Sequence, residues 1–403
     1  MPTRHASRPD DPTLSAHLLD PRHIGVVDLD RWRTLADRAA EPNPYFRMEY
    51  VLANVYERDV DARLMVVSED DRWIACLPVV HRGPSRVLPL PHMAALTDEY
   101  SLLGTPLIDR DRVPVAADAL VGAMHARWGA AAVLIDLLGL DGPVGPAMLR
   151  AAERRGLRPI ALRRFERAAW RKVEDEAAPG QPGKGTDVAR LRRRARRLAK
   201  DLGGVVQLAD RTNAQDAPEA FLAMENSGWK AEQGTALGST PEDAAFFRRI
   251  CKDMAAVGLL RLMALEVDGR AVAMECHLRD GDAQFSFKIA YDHELSAYSP
   301  GAQLDLQLFE GFGAQGLTVV DTCSSPSNAH MNRLWPHRRQ MQTLLLPTGS
   351  RSSVLVRPFV AGKAFARSLR ADLVKLRRGG VDGVWSAAFA AVVTTWESAA
   401  GLV

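Results

Sequence analysis

The chain has 403 residues, 47% of them hydrophobic, with 52 Lys and Arg set against 49 Asp and Glu. That length exceeds one ordinary core and predicts two domains. A net charge of +3 excludes a molecule that binds polyanions over its whole surface, so any such contact must be local. The four cysteines form no close pair and no metal-ligand spacing, which argues against a disulfide scaffold and against a metal site.

Residues 1–19 are rich in Pro, Asp and Arg and lack the apolar stretch of a secretory leader. They predict a disordered N-terminus on a cytoplasmic protein. Residues 20–168 read as one α/β unit. Helices are expected over 29–40 and 48–58, then two strands in RLMVVSEDDRWIACLPVV around an acidic turn. The apolar run AAVLIDLLGL predicts a further strand, and PVGPAMLRAAERRG a helix ended by Gly156. Residues 169–187 contain RKVEDEAAPGQPGKGTD, whose glycines and prolines among charges mark a linker.

The second unit, 188–348, opens with VARLRRRARRLAKDLGG. Here Val188, Leu191, Ala195, Leu198 and Leu202 fall at helical spacing, arginines cover the rest, and Gly203-Gly204 ends the helix. Two more helices are expected, through Phe221–Lys230 and from Pro241 to Val257. Then LLRLMALEV, RAVAMECHL and AQFSFKIAY, separated by Asp-Gly turns, predict a three-stranded antiparallel meander. The third strand alternates, with Phe285, Phe287, Ile289 and Tyr291 assigned to one face and Gln284, Ser286 and Lys288 to the other. A helix after Gly301 and a short strand, LTVVD, make the last two strands parallel. The first unit shows a shorter version of this plan. The fold class is therefore α/β, with a mixed α+β sheet and two tandem units. A helical C-terminal extension is expected over 349–403, where VWSAAFAAVVTTWESAAGLV carries Glu397 and reads as a packing or interfacial helix rather than a membrane span.

Chemistry is concentrated near Tyr298-Ser299-Pro300-Gly301-Ala302-Gln303. Pro300 presets the helical φ, Gly301 leaves backbone N–H groups accessible, and no acidic side chain stands in the first turn, so a phosphate could rest on this helix start. An ordinary strand-to-helix turn with Ser299 as N-cap explains the same residues. Asp292 and Tyr291 end the preceding strand and Asp321 ends the next, where the carboxyl ends of parallel strands form a cleft. Turn formation and helix capping are the plainer roles for the two aspartates. Glu225, Trp229 and Lys230 surround a break at Asn226-Ser227-Gly228, which suits acceptor contacts or a helix C-cap. His330, Asn332, Trp335 and Arg338 lie together in SSPSNAHMNRLWPHRR, where an arginine fork could orient an anionic acceptor. Cys323 is a conceivable nucleophile without a spaced histidine to activate it.

The meander, the YSPG turn and the strand ending at Asp321 resemble the acetyl-CoA site of the GNAT acyltransferase superfamily. Its turn pattern is Arg/Gln-x-x-Gly-x-Gly/Ala; here Gly301 matches, Tyr298 replaces the basic or amide residue, and Gln303 the last small one. ENSGWKAEQGTAL, FFRRIC, AYDHELSAYSPG and VDTCSSPSNAHMNRLWPHRR resemble the CelD-like, FemAB-related branch of tandem GNAT proteins. NPYFRMEY, ACLPVV and DEYSLLGTPLID extend the likeness loosely into the first unit.

The resemblance implies N-acyl transfer from acetyl-CoA or a longer acyl-CoA, bound on residues 298–303, with no metal. The acceptor it implies is a small-molecule or glycan amine, such as an amino sugar or an envelope precursor. Catalysis would need a base among Asp292, Asp321, Glu225 and His330, and an acid such as Tyr291. Trp229, Lys230, Asn332, Trp335 and Arg338 would contact the acceptor. Two rivals stand beside this reading: a Fem-type transferase using aminoacyl-tRNA, and a non-catalytic scaffold for envelope assembly. RLRRRARRLAK invites a nucleic-acid or anionic-membrane contact, but it lacks aromatic residues for base stacking.

Overall fold

The computed structural model describes residues 13–84, 88, 90–125, 130–172, 182, 187–228 and 234–348. The expected C-terminal helical extension lies outside the described residues. Strand β1 (Leu14–Leu19) pairs antiparallel with β2 (Ala62–Glu69), from Leu14 opposite Glu69 to Leu19 opposite Leu64. This corrects the expectation of disorder through residue 19. The apolar run behind Thr13 completes a sheet edge, whatever the polar residues before it suggest.

Helices α1 (Val26–Asp37) and α2 (Met48–Glu57) precede β2, followed by β3 (Arg72–Arg82), β4 (His92–Ala95) and the short β5 (Leu107–Ile108). Then come α3 (Val113–His125), β6 (Ala132–Gly139), α4 (Val144–Arg154) and β7 (Ile160–Arg171). The C-terminal half consists of α5 (Val188–Leu202), β8 (Val206–Asp210), α6 (Ala217–Asn226), α7 (Pro241–Ala256), β9 (Leu260–Val267), β10 (Arg270–Asp280) and β11 (Ala283–Tyr291). It ends with α8 (Pro300–Gly311), β12 (Val319–Asp321), α9 (Ala329–Leu334) and β13 (His337–Pro347).

Among the described residues all thirteen strands join one sheet, ordered β1-β2-β3-β4-β6-β13-β7-β12-β11-β10-β9-β8, with β5 beside β3. Read from either end, the order gives the same plan: three antiparallel pairings, one parallel, one antiparallel. The two halves are thus topological copies that exchange their last strands. β7 leaves the first half to pair with β12, and β13 returns from the second half to pair with β6. The expected boundary at residue 168 falls inside β7, where Ala168 and Ala169 are fully buried. A linker starting at 169 is corrected accordingly: Ala169–Arg171 are sheet.

The shared core explains why the halves do not separate. Tyr45 and Tyr50 of the first half meet Phe285 and Phe246 of the second edge to face, at 6.3 and 5.4 Å between ring centres. Such pairs add about 0.5–1.5 kcal/mol each beyond burial. On the opposite face α5 buries Leu191 and Leu198 against α8 and its surroundings, as its apolar stripe predicts, while Leu202 stays exposed.

Candidate active site

β11 and β12 run parallel for only three residue pairs, Ala283–Val319, Gln284–Val320 and Phe285–Asp321. Beyond Phe285 they part, and β12 does not extend along Ser286–Tyr291. On the other side of β11, Lys288 pairs with Cys276 but Ser286 pairs with His277, leaving Phe287 as a bulge. The bulge flips the pleat. Phe285 and Phe287 join the core that contains α7, whereas the Ile289 and Tyr291 side chains approach Gly301 on α8. The single face expected for Phe285, Phe287, Ile289 and Tyr291 is corrected: an extra residue resets an alternation of period two.

The wedge opens toward the start of α8. Ser299 is left-handed (φ 57°) and makes no side-chain cap. Its Oγ instead accepts a bond from Arg194 Nη1 of α5, at 2.5 Å. Gln303 N bonds Ser299 O, which leaves the N–H groups of Gly301 and Ala302 with no acceptor among the described residues. Pro300 and Gly301 are buried and the first turn carries no acid. Gln303 is 2% exposed; its Nε2 donates to Tyr298 O at 2.8 Å, while its Oε1 has no partner. Tyr298 gives its hydroxyl proton to Asp201, which raises the phenol and lowers the carboxyl, and Arg197 lies over the ring. Two uncapped amide donors beside a guanidinium suit an anion.

Asp321 is fully buried. Burial pushes its carboxyl up, but Arg167 and Arg339 outweigh that and hold it below the usual range. Both donate to its Oδ2, at 2.6 and 2.7 Å, and Cys323 N donates to Oδ1. Cys323 is left-handed (φ 50°), with Sγ 3.6 Å from the Tyr45 hydroxyl. Burial, then Asp321, pushes its thiol up to about 12, which leaves no thiolate for nucleophilic attack near neutral pH.

His330 Nε2 lies 2.8 Å from Asp305 Oδ2. Asp305 stands one turn, about 6 Å, beyond Gly301 on the same buried side of α8. The pair therefore ties the helix after β11 to the helix after β12.

Other expected residues have local partners. Asp292 accepts from Glu294 N and from Arg270, as a turn former does. Glu225 is buried and accepts from Leu237 N; with Tyr291 it lines a cavity of about 20 Å³. Trp229 and Lys230 lie outside the described residues. Asn332 Nδ2 holds Pro326 O, and Arg338 donates to the carbonyls of Asn332, Trp335 and His337 around the end of α9. Trp335 is buried against Phe309 and Phe312. The expected acceptor contact by Trp335 is corrected to core packing. Sequence reasoning missed Arg194 and Asp305. Asp305 did leave a signal, as an acid inside the apolar run LDLQLF.

The equivalent wedge in the first half is filled. β4 and β6 pair only at Met93–Val133 and Ala94–Leu134, and then Leu102–Thr105 enters between them. Gly104 N donates to Leu137 O, Gly139 N donates to Thr105 Oγ1, and Asn43 Nδ2 holds the carbonyls of Leu103 and Thr105. A Cβ on Gly104 would stand 1.9 Å from Asp136 O. We therefore expect Gly104→Ala to destabilise the protein by about 3 kcal/mol, because the plug or β6 must shift. A urea midpoint equal to the parent's would show that the plug is not seated this way.

Residues 188–328 match the family described as the acetyltransferase (GNAT) domain. The C-terminal half therefore carries a GNAT-type acyltransferase domain. No curated protein matches the chain in sequence. FemX is 12% identical with a TM-score of 0.51, over 82% of this chain and 96% of that one. A conserved protein of unknown function from Bacteroides thetaiotaomicron is 11% identical with a TM-score of 0.51, over 79% and 97%. At such identity these are likenesses of fold, and they span both halves of the chain. A tandem GNAT protein from the clavulanic acid biosynthesis pathway is 14% identical over 84% of this chain and 99% of that one, with a TM-score of 0.41. Among the described residues of the acyltransferase no group of three or more His, Cys, Asp or Glu is placed to hold a metal ion, and no helix is long and apolar enough to cross a membrane.

Proposed function

We propose that the C-terminal half transfers an acyl group from acyl-CoA to an amine acceptor held between the halves, an amino sugar or another cell-envelope precursor. The observation that carries this reading is the buried, uncapped start of α8 beside Arg194, next to the point where β11 and β12 part. The amides of Gly301 and Ala302 and the Arg194 guanidinium would hold the diphosphate. The plugged wedge of the first half supports a single site per chain.

An amine acceptor is protonated near neutral pH, with an ordinary pKa of about 10, and must lose a proton to attack. Asp321 is committed to two arginines and Asp292 to its turn. His330, oriented by Asp305 and with Nδ1 unbonded among the described residues, is the group we assign to proton transfer. Arg58 and Tyr100 of the first half meet Asp243 and Lys288 of the second next to the bulge, with Lys288 Nζ 4.6 Å from the Tyr100 ring centre. The acceptor wall is then built by both halves. Its amino-sugar character rests on the resemblance to the CelD-like, FemAB-related branch.

The test is thermal unfolding with CoA, acetyl-CoA and longer acyl-CoAs, beside Gly301→Asp. At a hundredfold excess over Kd a cofactor stabilises by about 2.7 kcal/mol, so the midpoint should rise, and the introduced carboxylate should remove the rise. No shift with any CoA in folded protein overturns the reading. Binding of aminoacyl-tRNA with a steep salt slope would then favour the Fem-type transferase, and binding of neither the scaffold.

A further inference from the structure

At the closed end of the wedge, away from α8's start, lies a second pocket, of about 370 Å³. Its floor is set by sheet register. Arg279 of β10 stands opposite Gln284 of β11, and Arg261 of β9 stands opposite His277, two residues from Arg279 on the same face. Met263 and Leu308 give the pocket apolar walls, and Asp210 stands at the rim.

The cations here are poorly matched. Arg279 reaches only the carbonyl of Gln315, at 3.5 Å, and Arg261 lies 3.8 Å from a half-exposed Asp210 carboxylate already bonded to Thr212 N. Burial and then the Arg261 charge lower the Arg279 guanidinium's affinity for its proton. Gln284 is 2% exposed and lines the pocket, yet its carboxamide has no hydrogen bond among the described residues. Two like charges in a partly desolvated site repel.

The geometry points to a second ligand site, formed by Arg261, Arg279 and Gln284, that takes the carboxylate or phosphate of a small metabolite. An oxyanion there accepts from both guanidinium forks and from the carboxamide, and relieves the repulsion between the arginines. A short apolar body rests on Met263 and Leu308. The pocket joins β9, β10, β11 and α8 at the end where β11 and β12 are still paired, so its occupant does not compete with an acyl donor in the wedge.

Inorganic phosphate and succinate, titrated at constant ionic strength, are the probes, and thermal unfolding is the readout. The parent is compared with Gly301→Asp, which closes the α8 start to anions, and with that variant carrying Arg261→Gln and Arg279→Gln. In the Gly301→Asp background a tenfold excess over Kd should raise the midpoint by about 2 °C, and the added arginine changes should abolish the rise. Phosphate acting alone marks a phosphate ester, succinate alone a carboxylate. Should the triple variant not fold, Gln284→Glu in the same background replaces it. That carboxylate pairs with Arg279 and should both abolish the anion response and raise the unliganded midpoint. An anion response that survives these changes, or none in the Gly301→Asp protein, overturns the assignment.

Discussion

Replacing Asp321 by alanine should lower the free energy of unfolding by about 3–5 kcal/mol, read as a lower urea midpoint at unchanged slope. The carboxylate is fully buried, and Arg167 and Arg339 around it are 2% and 7% exposed. Its removal strands two guanidiniums away from water; Arg167 Nε already lacks a partner, and Arg339's other carboxylate, Glu41, is 3.7 Å away. The three residues stand on β12, β7 and β13, the strands through which the halves exchange, so the loss falls on the seam of the sheet. Its pH dependence has a definite sign. Because the folded carboxyl lies below its ordinary value of 3.8, the contribution is complete above about pH 4 and is lost as pH falls through the folded value. The parent's advantage over Asp321→Ala should hold from pH 5 to 7 and shrink in stronger acid. The same variant separates structure from chemistry: full stability with abolished transfer would return Asp321 to the role of base.

Local pattern made much of this fold legible. The Asp-Gly turns fix the meander of β9, β10 and β11, the stripe Leu191–Leu198 fixes the buried face of α5, and Ser-Pro-Gly marks the start of α8. What escaped depends on partners far along the chain. Nothing in AAWRK or HRRQMQTLLL says that β7 and β13 pair across the two halves, because strand exchange is decided by which edge remains open once the sheets have formed. The bulge at Phe287 escaped for a related reason: FSFKIAY alternates without a break, and only the register with Cys276 and His277 shows the extra residue. Arg167 and Arg339 looked like surface charge, since the aspartate that draws them inside is 154 and 18 residues away. The candidate site divides in the same way. The turn at 298–303 could be read from spacing, whereas Arg194, about 105 residues from the Ser299 it contacts, could not.

His330→Ala should reduce kcat for transfer from acyl-CoA to glucosamine, used as a probe amine, by about 10²–10⁴-fold, with the KM for acyl-CoA little changed. The imidazole is partly exposed, but its loss leaves the buried Asp305 carboxylate without this partner, so stability should also fall by about 1–3 kcal/mol. Its position, not its burial, makes it a candidate. Nε2 is held by an Asp305 carboxylate that is 4% exposed, which fixes the ring and leaves Nδ1 without a bond among the described residues. Asp305 then acts as a positioning residue. Asp305→Asn keeps the shape but can offer Nε2 a donor where it had an acceptor, holding the other tautomer, and should lower kcat by about 10–100-fold. Asp305→Glu should recover part of that loss. A merely structural histidine would behave otherwise: kcat per folded molecule would be unchanged, and added imidazole would not alter turnover. Recovery of kcat by imidazole in folded His330→Ala, absent in Asp321→Ala, places proton transfer at His330. Failure of that recovery, with kcat unchanged in His330→Ala, removes the histidine from the chemistry and leaves the wedge to work by proximity and by its backbone donors alone.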